Sequence, residues 1–283
     1  MRKSIFDIVA ESYDVTEEVE RIHTMALKEK TLYANYTNYS LFDFVDEYCF
    51  KTWAHRGHCV DVKDYLETVG YIELLNDANS ENTDAFFTLI ELVYNFWMLA
   101  KAKFQDSKLA LKWQGNFYHL QDVMDENLQR FNHIAYKDTK TDRVLVFEDK
   151  PGVTAAAEIV PETLSLDIIR YNHRALAGEI EVKKTILLAL ASDLEPKRAE
   201  LTKINKQLAD DIFFMLNNVD IRHNNRSKKD KNYKEYIAKM RKDRLEKWYD
   251  ELYQMILLAY LLLDNESRTE QVKELKSKII GSV

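Results

Sequence analysis

The stretch SENTDAFFTLIELVYNFWMLAKAK, residues 80–103, decides the fold class of the chain. Ser80 and Thr83 are candidate helix caps, acidic residues lie in the first turn, and lysines close the segment, which suits the helix dipole. Its apolar positions cover more than one stripe, as in a helix that is packed on several sides, and we predict that it is a central core helix. These positions are Phe86, Phe87, Leu89, Ile90, Val93, Phe96, Trp97 and Ala100.

Turn-forming residues are scarce on both sides of this segment. The chain has 283 residues, of which 46% are hydrophobic and only 6 are glycine and 3 proline. This composition excludes a many-stranded sandwich or barrel, and it provides enough apolar residues for one large or two modest domains. We predict a mainly α fold, built from one or more helical bundles with one short β-hairpin in the middle of the chain.

The sequence changes character between Arg143 and Val160. RVLVFEDKPGVTAAAEIV contains two β-prone runs around Pro151 and Gly152, which predicts a hairpin. Such a hairpin marks a domain boundary or forms an arm that pairs with a partner's edge. The predicted organisation is an amino-terminal helical region over 1–140, a β-hairpin connection over 141–162 and a helical bundle over 163–283.

The clearest helix of the carboxy-terminal half is the last one. Its apolar residues recur mostly at steps of three and four, which is one face of an amphipathic helix. They are Leu245, Trp248, Tyr249, Leu252, Met255, Ile256, Ala259 and Leu263.

Several features predict a cytoplasmic protein without a membrane span. The start, MRKSIFDIVAESYD, lacks a signal-peptide core because acidic residues interrupt its apolar ones. The longest apolar run, from Met255 to Leu263, is less than half of the roughly 20 residues that cross a bilayer. The two cysteines, Cys49 and Cys59, are too few for a disulfide framework and fit a reducing compartment.

The segment CFKTWAHRGHC invites a zinc interpretation, because it contains Cys49, His55, His58 and Cys59. Its spacing matches no common structural zinc site, and adjacent His58 and Cys59 do not converge easily on one ion. We interpret Cys49 as a small core residue and Gly57 as a turn between two helices. The sequence predicts no metal and no cofactor.

The stretch NNVDIRHNN, residues 217–225, lies where an amphipathic helix seems to run out of apolar positions. At the spacing of its apolar stripe, Ile212, Met215 and Val219, the next core-facing position is Arg222. A buried guanidinium without a partner is costly, so Arg222 must pair with a carboxylate, reach solvent in a cleft, or bind an anion at an interface. The nearby candidates for pairing are Asp210, Asp211 and Asp220.

A basic segment begins at this arginine. From Arg222 to Lys247 there are eleven basic and four acidic residues, a local net charge of +7 in a chain whose total is -7. Such a patch attracts phosphates while the rest of the protein repels them. Tyr233, Tyr236 and Trp248 are close enough in sequence to offer base-stacking surfaces. The alternative is an ordinary solvated helix face.

The helix that ends in NNVDIRHNN, the basic loop and the helix RLEKWYDELYQMILLAYLLLD together resemble the carboxy-terminal half of HEPN domains, over about residues 165 to 265. This helical-bundle family is common in prokaryotic defence and toxin systems, and its active members are metal-independent RNases that work as dimers. Its signature is an arginine, a polar residue and, a few residues later, a histidine. Arg222 and His223 match the first two positions. The closing histidine has no counterpart, because His223 is the last histidine of the chain.

The resemblance implies an RNA-binding protein of a defence, abortive-infection or toxin–antitoxin system, active as a metal-independent endoribonuclease where the motif suffices. It also implies a homodimer and a protein partner or antitoxin. Arg222 would bind phosphate and His223 would act as acid or base, roles that metal-free RNA cleavage requires. The remaining site residues it implies are Asn224 and Asn225 for positioning, and Arg226, Lys228, Lys229, Lys231 and Tyr233 for RNA binding.

Two alternatives stay open. His173, in RYNHRALAGE, could supply the missing imidazole if its helix lies beside the Arg222 helix, or it is a surface histidine. The whole protein could also be a non-enzymatic helical scaffold or interaction module in which Arg222 makes a structural ion pair. Glycine-rich phosphate loops, HExxH and Ser or Cys nucleophile motifs are absent from the sequence.

Overall fold

The computed structural model describes residues 13–106, 112–113, 117–138 and 141–280, and the predicted mainly α fold is confirmed. The chain divides into two compact units, Met1–Glu148 and Asp149–Val283. The division falls inside the segment that was predicted to connect two regions.

The first unit combines helices with two small antiparallel sheets, one of them ordered β2-β1-β3 and the other a β4–β5 pair. The helices are α1 (Val15–Leu27), α2 (Leu41–Tyr48), a 3₁₀ turn (Phe50–Thr52), α3 (Val62–Thr68), α4 (Tyr71–Asp77), α5 (Thr83–Asp106) and α6 (Phe117–Arg130). The strands are β1 (Leu32–Ala34), β2 (Thr37–Tyr39), β3 (Lys112–Trp113), β4 (His133–Asp138) and β5 (Arg143–Glu148).

Helix α5 is the centre of the first unit, as predicted. It packs against α1, α2, α4, α6 and β5, and all eight predicted core positions are buried. The predicted caps were wrong: the side-chain oxygen of Asn82 accepts the N–H of Ala85 at 3.4 Å. Among the described helices, only the span Thr83–Phe104 is long and apolar enough to cross a membrane, and 56% of its most apolar window is buried inside the protein, as in a core helix.

The hairpin predicted over residues 141–162 is wrong in its second half. The first run is strand β5, but it pairs with the preceding strand, with His133 opposite Glu148. The second run is a helix, α7 (Pro151–Ile159), with Pro151 in its first turn. Proline suits that position because its missing N–H has no helical partner there, and the three alanines that follow favour a helix.

A second hairpin, β1–β2, was not predicted. Asn35 and Tyr36 form its two-residue turn, and both have positive φ, 48° and 67°. This is the backbone of a type I′ turn, which the sequence normally signals with a glycine at the second position. Tyr36 occupies that position here, so the usual signal is missing.

The second unit has helices and loops but no strand in its described residues. Its helices are α7, α8 (Glu162–Tyr171), a 3₁₀ turn (Arg174–Leu176), α9 (Ile180–Leu194), a 3₁₀ turn (Glu195–Lys197), α10 (Arg198–Ile204), α11 (Lys206–Asn218), α12 (Glu235–Ala238) and α13 (Lys242–Ile280). The amino-terminal half of α13 packs against α7, α9, α10 and α11. From residue 265 onward nearly all of its side chains are exposed.

The predicted core face of α13 is largely confirmed. Leu245, Tyr249, Leu252, Ile256 and Ala259 are buried. The other three predicted positions differ: Trp248 is exposed, and Met255 and Leu263 are partly buried.

An ion-pair cluster around a buried lysine joins α9 to α13. Lys183 is only 7% exposed, and its ammonium group lies 2.8 Å from Glu246 and 2.9 Å from Asp250. The ammonium also lies 5.1 Å from the ring centroid of Tyr171, which stacks on Tyr253 at 4.0 Å. The cluster ties the first turns of α13, where the basic segment ends, to α9.

Candidate nucleic-acid-binding site

Helix α11 ends four residues before Arg222, and the chain then changes direction at a residue with a left-handed backbone conformation. The N–H of Val219 still bonds to the carbonyl of Met215 at 3.0 Å, but Asp220 has a φ of 58°. Aspartate tolerates this conformation better than most residues. The N–H of Arg222 then bonds to the carbonyl of Leu216 at 2.9 Å. Arg222 is therefore off the helical stripe that predicted its position.

The Arg222 guanidinium pairs with a carboxylate, the first of the three options that the sequence left open. Its partner is Glu195, in the 3₁₀ turn after α9. The guanidinium carbon lies 5.6 Å from the ring centroid of Phe213, and that of Arg198 lies 4.2 Å from the same ring. Two arginines thus flank one aromatic ring, and Glu195 lies within 4.0 Å of Arg198 as well.

The aspartates that were predicted to pair with Arg222 do not appear among its partners. Asp220 faces Lys184, with 3.6 Å between the charged atoms, and Asp211 accepts hydrogen bonds from Gln207 within α11. Asp210 is exposed. The prediction failed because it continued the helix through Asp220, where the chain instead changes direction.

Asn225 organises the loop that follows. Its side chain is 0% exposed, its oxygen accepts the N–H of Asp220 at 2.7 Å, and its amide donates to the carbonyl of Asn232 at 2.7 Å. Its own carbonyl accepts the N–H of Lys234 at 2.8 Å. The Tyr249 hydroxyl of α13 donates to the Asp220 carbonyl at 3.2 Å, and burial raises the pKa of that phenol. Asn225 is thus occupied in holding both ends of the loop.

His223 and Asn224 are the accessible members of the predicted catalytic set. Asn224 is exposed and His223 is partly exposed, and neither side chain has a polar partner among the described residues. The structure therefore brings Arg222 and His223 to the same turn but leaves only His223 and Asn224 open to a ligand.

The loop exposes a row of cations. Lys228, Lys229, Lys231 and Lys234 are exposed and have no ion-pair partner within the residues that the structure describes. Arg226 is partly buried instead, and its guanidinium lies 3.3 Å from the carbonyl oxygen of Met240, to which it donates. Of the predicted RNA-binding residues, the three lysines are therefore open to solvent and Arg226 braces the loop.

The four acidic residues of the basic segment do not neutralise these lysines. Asp230 accepts the N–H of Asn232 at 2.8 Å, within the loop itself. Glu235 pairs with Lys239 and Asp243 with Arg241, while Glu246 pairs with buried Lys183. The local positive charge that the sequence predicts therefore concentrates on the exposed loop.

An exposed aromatic surface lies beside this loop, and only part of it was predicted from the sequence. Tyr236 and Trp248 were noted as stacking candidates, and they are 63% and 40% exposed. Tyr233, the third candidate, is partly buried. Phe214 was not predicted, although it is 64% exposed; its neighbour Phe213 also lies between the stripe residues Ile212 and Met215 and is buried, so the spacing did not distinguish the two.

The other candidates do not form a site. His173 caps the 3₁₀ turn that follows it, with its Nδ1 accepting the N–H of Ala175 at 3.2 Å. Within the described residues, no group of three or more His, Cys, Asp or Glu side chains could hold a metal ion. Cys49 and Cys59 are both buried free thiols, in agreement with a core role for Cys49.

Comparison of the chain with protein-family models, with curated proteins and with solved structures gave no match in any of the three.

Proposed function

We propose that the second unit binds RNA through the loop between α11 and α12. One observation carries this proposal: Lys228, Lys229 and Lys231 are exposed together, without acidic partners among the described residues, in a chain whose net charge is -7. Cations that no carboxylate neutralises bind phosphate and release counterions, which drives nucleic-acid binding. Among phosphate polymers, RNA is favoured by the HEPN resemblance.

The rest of the loop supports this role because hydrogen bonds hold its backbone. Asn225 and Asp230 satisfy the loop's own backbone groups, so the lysines extend from a fixed base. A rigid base reduces the ordering cost of binding. The repulsion of phosphate by the remaining, acidic surface would concentrate RNA at this loop.

Cleavage of the bound RNA is a second candidate function, favoured by the accessible imidazole of His223 beside Arg222. His223 would take the 2′-hydroxyl proton or protonate the leaving oxygen, and a cation would stabilise the phosphorane. Arg222 would have to exchange Glu195 for the phosphate. With one imidazole in the motif, a homodimer would be needed to supply a second, and a defence or toxin role would follow from the resemblance.

The binding proposal is tested with a labelled single-stranded RNA and fluorescence anisotropy over a series of salt concentrations. The variant Lys228→Gln/Lys229→Gln/Lys231→Gln should lower the slope of log K against log salt by about 2, from roughly 0.7 per phosphate contact. The matched control, Lys203→Gln/Lys206→Gln/Lys276→Gln, removes the same charge from exposed lysines of the same unit that likewise have no ion-pair partner among the described residues. Equal losses in both variants would contradict a specific site.

The cleavage candidate is tested on the same RNA in EDTA, with wild type and His223→Ala compared at equal folding by circular dichroism. Cleavage by wild type alone supports a metal-free RNase. Binding without cleavage by either protein leaves the binding proposal intact and removes the catalytic one.

A further inference from the structure

Tyr236 lines two neighbouring depressions, of which the second is bordered by basic residues. On one side is a groove of about 380 Å³, which Tyr236 shares with Phe214 and Trp248. On the other side is a depression of about 260 Å³, lined by Lys239, Met240, Arg241 and Arg244 as well as Tyr236. Both depressions are walled mainly by apolar atoms, so the lysine and arginines of the second line it with their aliphatic stems while their charged ends lie outside its walls.

The groove offers aromatic faces and almost no hydrogen-bonding groups. Phe214, Tyr236 and Trp248 are the large exposed side chains at its edge. The amide of Asn218, which also lines it, already donates to the carbonyl of Phe214 within α11 at 2.8 Å. The remaining apolar lining comes from Met215, Val219, Ile237 and Met240. A planar ligand would be held by stacking, without reading of its polar edges.

The basic residues beside the second depression have charge available for an anion. The guanidinium carbon of Arg244 lies 5.9 Å from the ring centroid of Tyr236, and Arg244 has no carboxylate partner among the described residues. Lys239 and Arg241 pair with Glu235 and Asp243, but these pairs are exposed on the surface. Exposed pairs of this kind contribute little, so their cations can turn to a phosphate at small cost.

We propose that this surface binds a nucleotide of single-stranded RNA, with the unpaired base stacked in the apolar groove and its phosphate held by the exposed charged ends of Lys239, Arg241 and Arg244 beside the second depression. The inference rests on the proposed function and names its substrate class. A base in a duplex cannot leave its stack without an energetic cost, whereas an unpaired base enters such a groove freely. Because the groove lacks groups that read base edges, the preference should be for single strands, independent of sequence.

The position of the surface links it to the loop lysines. Lys234 lines the apolar groove and follows Lys228, Lys229 and Lys231 along the chain. A strand whose base occupies the groove can therefore place neighbouring phosphates on the loop. An apolar groove alone would equally accept a peptide side chain, but the adjacent cations and the three exposed aromatic rings match the alternation of base and phosphate.

The test compares three probes of equal length: a single-stranded RNA, the same RNA in a duplex, and an abasic phosphodiester strand. Tyr236→Ala and Trp248→Ala should each weaken binding of the single strand about 10-fold, the effect of losing a base stack. Affinity for the abasic strand and the duplex should stay within about twofold of wild type. Tyr236→Phe should bind normally because it keeps the ring, and Tyr36→Ala serves as the control for loss of an exposed tyrosine.

The outcomes separate the two proposals. If the groove variants bind the single strand as wild type does while the loop-lysine variant loses it, the groove inference is overturned and RNA binding stands. Equal weakening with the abasic strand would also overturn it, since no base is involved there. If wild type binds none of the probes, the proposed function fails as well. A melting temperature for each variant excludes unfolding as the cause.

Discussion

Asn225→Ala should destabilise the loop strongly, because this side chain makes two hydrogen bonds from a fully buried position. The substitution leaves the N–H of Asp220 and the carbonyl of Asn232 without their partners. A buried group that loses its partner costs about 1–3 kcal/mol, and water can reach the partly exposed Asn232. The bond to Asn232, whose carbonyl can turn to water, adds a net loss of about 0.5–1.5 kcal/mol. We therefore expect a total loss of about 2–4 kcal/mol in local stability.

Hydrogen–deuterium exchange with mass spectrometry measures this effect on the loop itself, separately from the first unit. If the free energy of opening the loop falls by about 2–4 kcal/mol, the exchange rate of its protected amides rises about 30- to 1000-fold. The amides of Asp220 and Lys234 should show it, since both are bonded to Asn225. The matched control is Asn224→Ala, an exposed neighbour with no side-chain partner among the described residues.

The reasoning would be refuted if Asn225→Ala and Asn224→Ala exchanged alike. In that case the buried bonds would contribute nothing measurable, and Asn225 could still serve as a positioning group for a ligand. A large difference, in contrast, identifies Asn225 as a structural residue of the loop.

Four further predictions follow from other contacts. Lys183→Met should destabilise the second unit by about 3 kcal/mol in urea unfolding, since it leaves Glu246 and Asp250 without their buried cation; an effect no larger than that of exposed Lys203→Met would contradict this. Burial raises the pKa of Glu246, but hydrogen bonds from Lys183 and the Gly178 N–H bring it below its ordinary 4.5. Its contribution is therefore present above pH 4.5 and lost as the pH falls through the lowered pKa, and an unchanged acid midpoint in Glu246→Gln would count against it. Burial raises the pKa of the Cys49 thiol to about 12, so alkylation at pH 8 should require unfolding, and rapid native labelling would be the contrary result. Glu195→Gln should free Arg222 and steepen the salt dependence of RNA binding by about 0.7, provided that Arg222 can reach phosphate; an unchanged slope would leave Arg222 a purely structural role.

The features that sequence predicted well are those that depend on composition and local periodicity. Helix α5 was predicted because its apolar residues occur on several faces, and no tertiary information was needed to expect it in a core. The basic segment was predicted because charges can be counted. The pairing of those charges could not be predicted from the sequence, because Glu246 pairs with Lys183, which lies far away in the chain.

The failures come from single residues that redirect the chain. Val153 and the alanines after it are apolar residues that occur in strands as well as in helices. Pro151 favours the helix here, because proline is well suited to the first helical position. Asp220 was treated as one more helical residue, yet its left-handed backbone ends the turn and carries Arg222 to Glu195. Spacing alone cannot reveal such a reversal, because most aspartates are compatible with a helix end or a helix interior.

In the proposed site, RNA cleavage requires the Arg222–Glu195 pair to open, whereas RNA binding does not. The exposed lysines can attract RNA whether or not this pair opens, because none of them depends on Glu195. Phosphorane stabilisation does depend on it, since a guanidinium that already faces a carboxylate offers less charge to a developing anion. Asn225 is held in the loop, so the groups left for chemistry are His223 and Asn224. Under the proposed function, RNA binding is therefore the primary activity, and cleavage is conditional on a rearrangement at Glu195 that bound phosphate would have to drive.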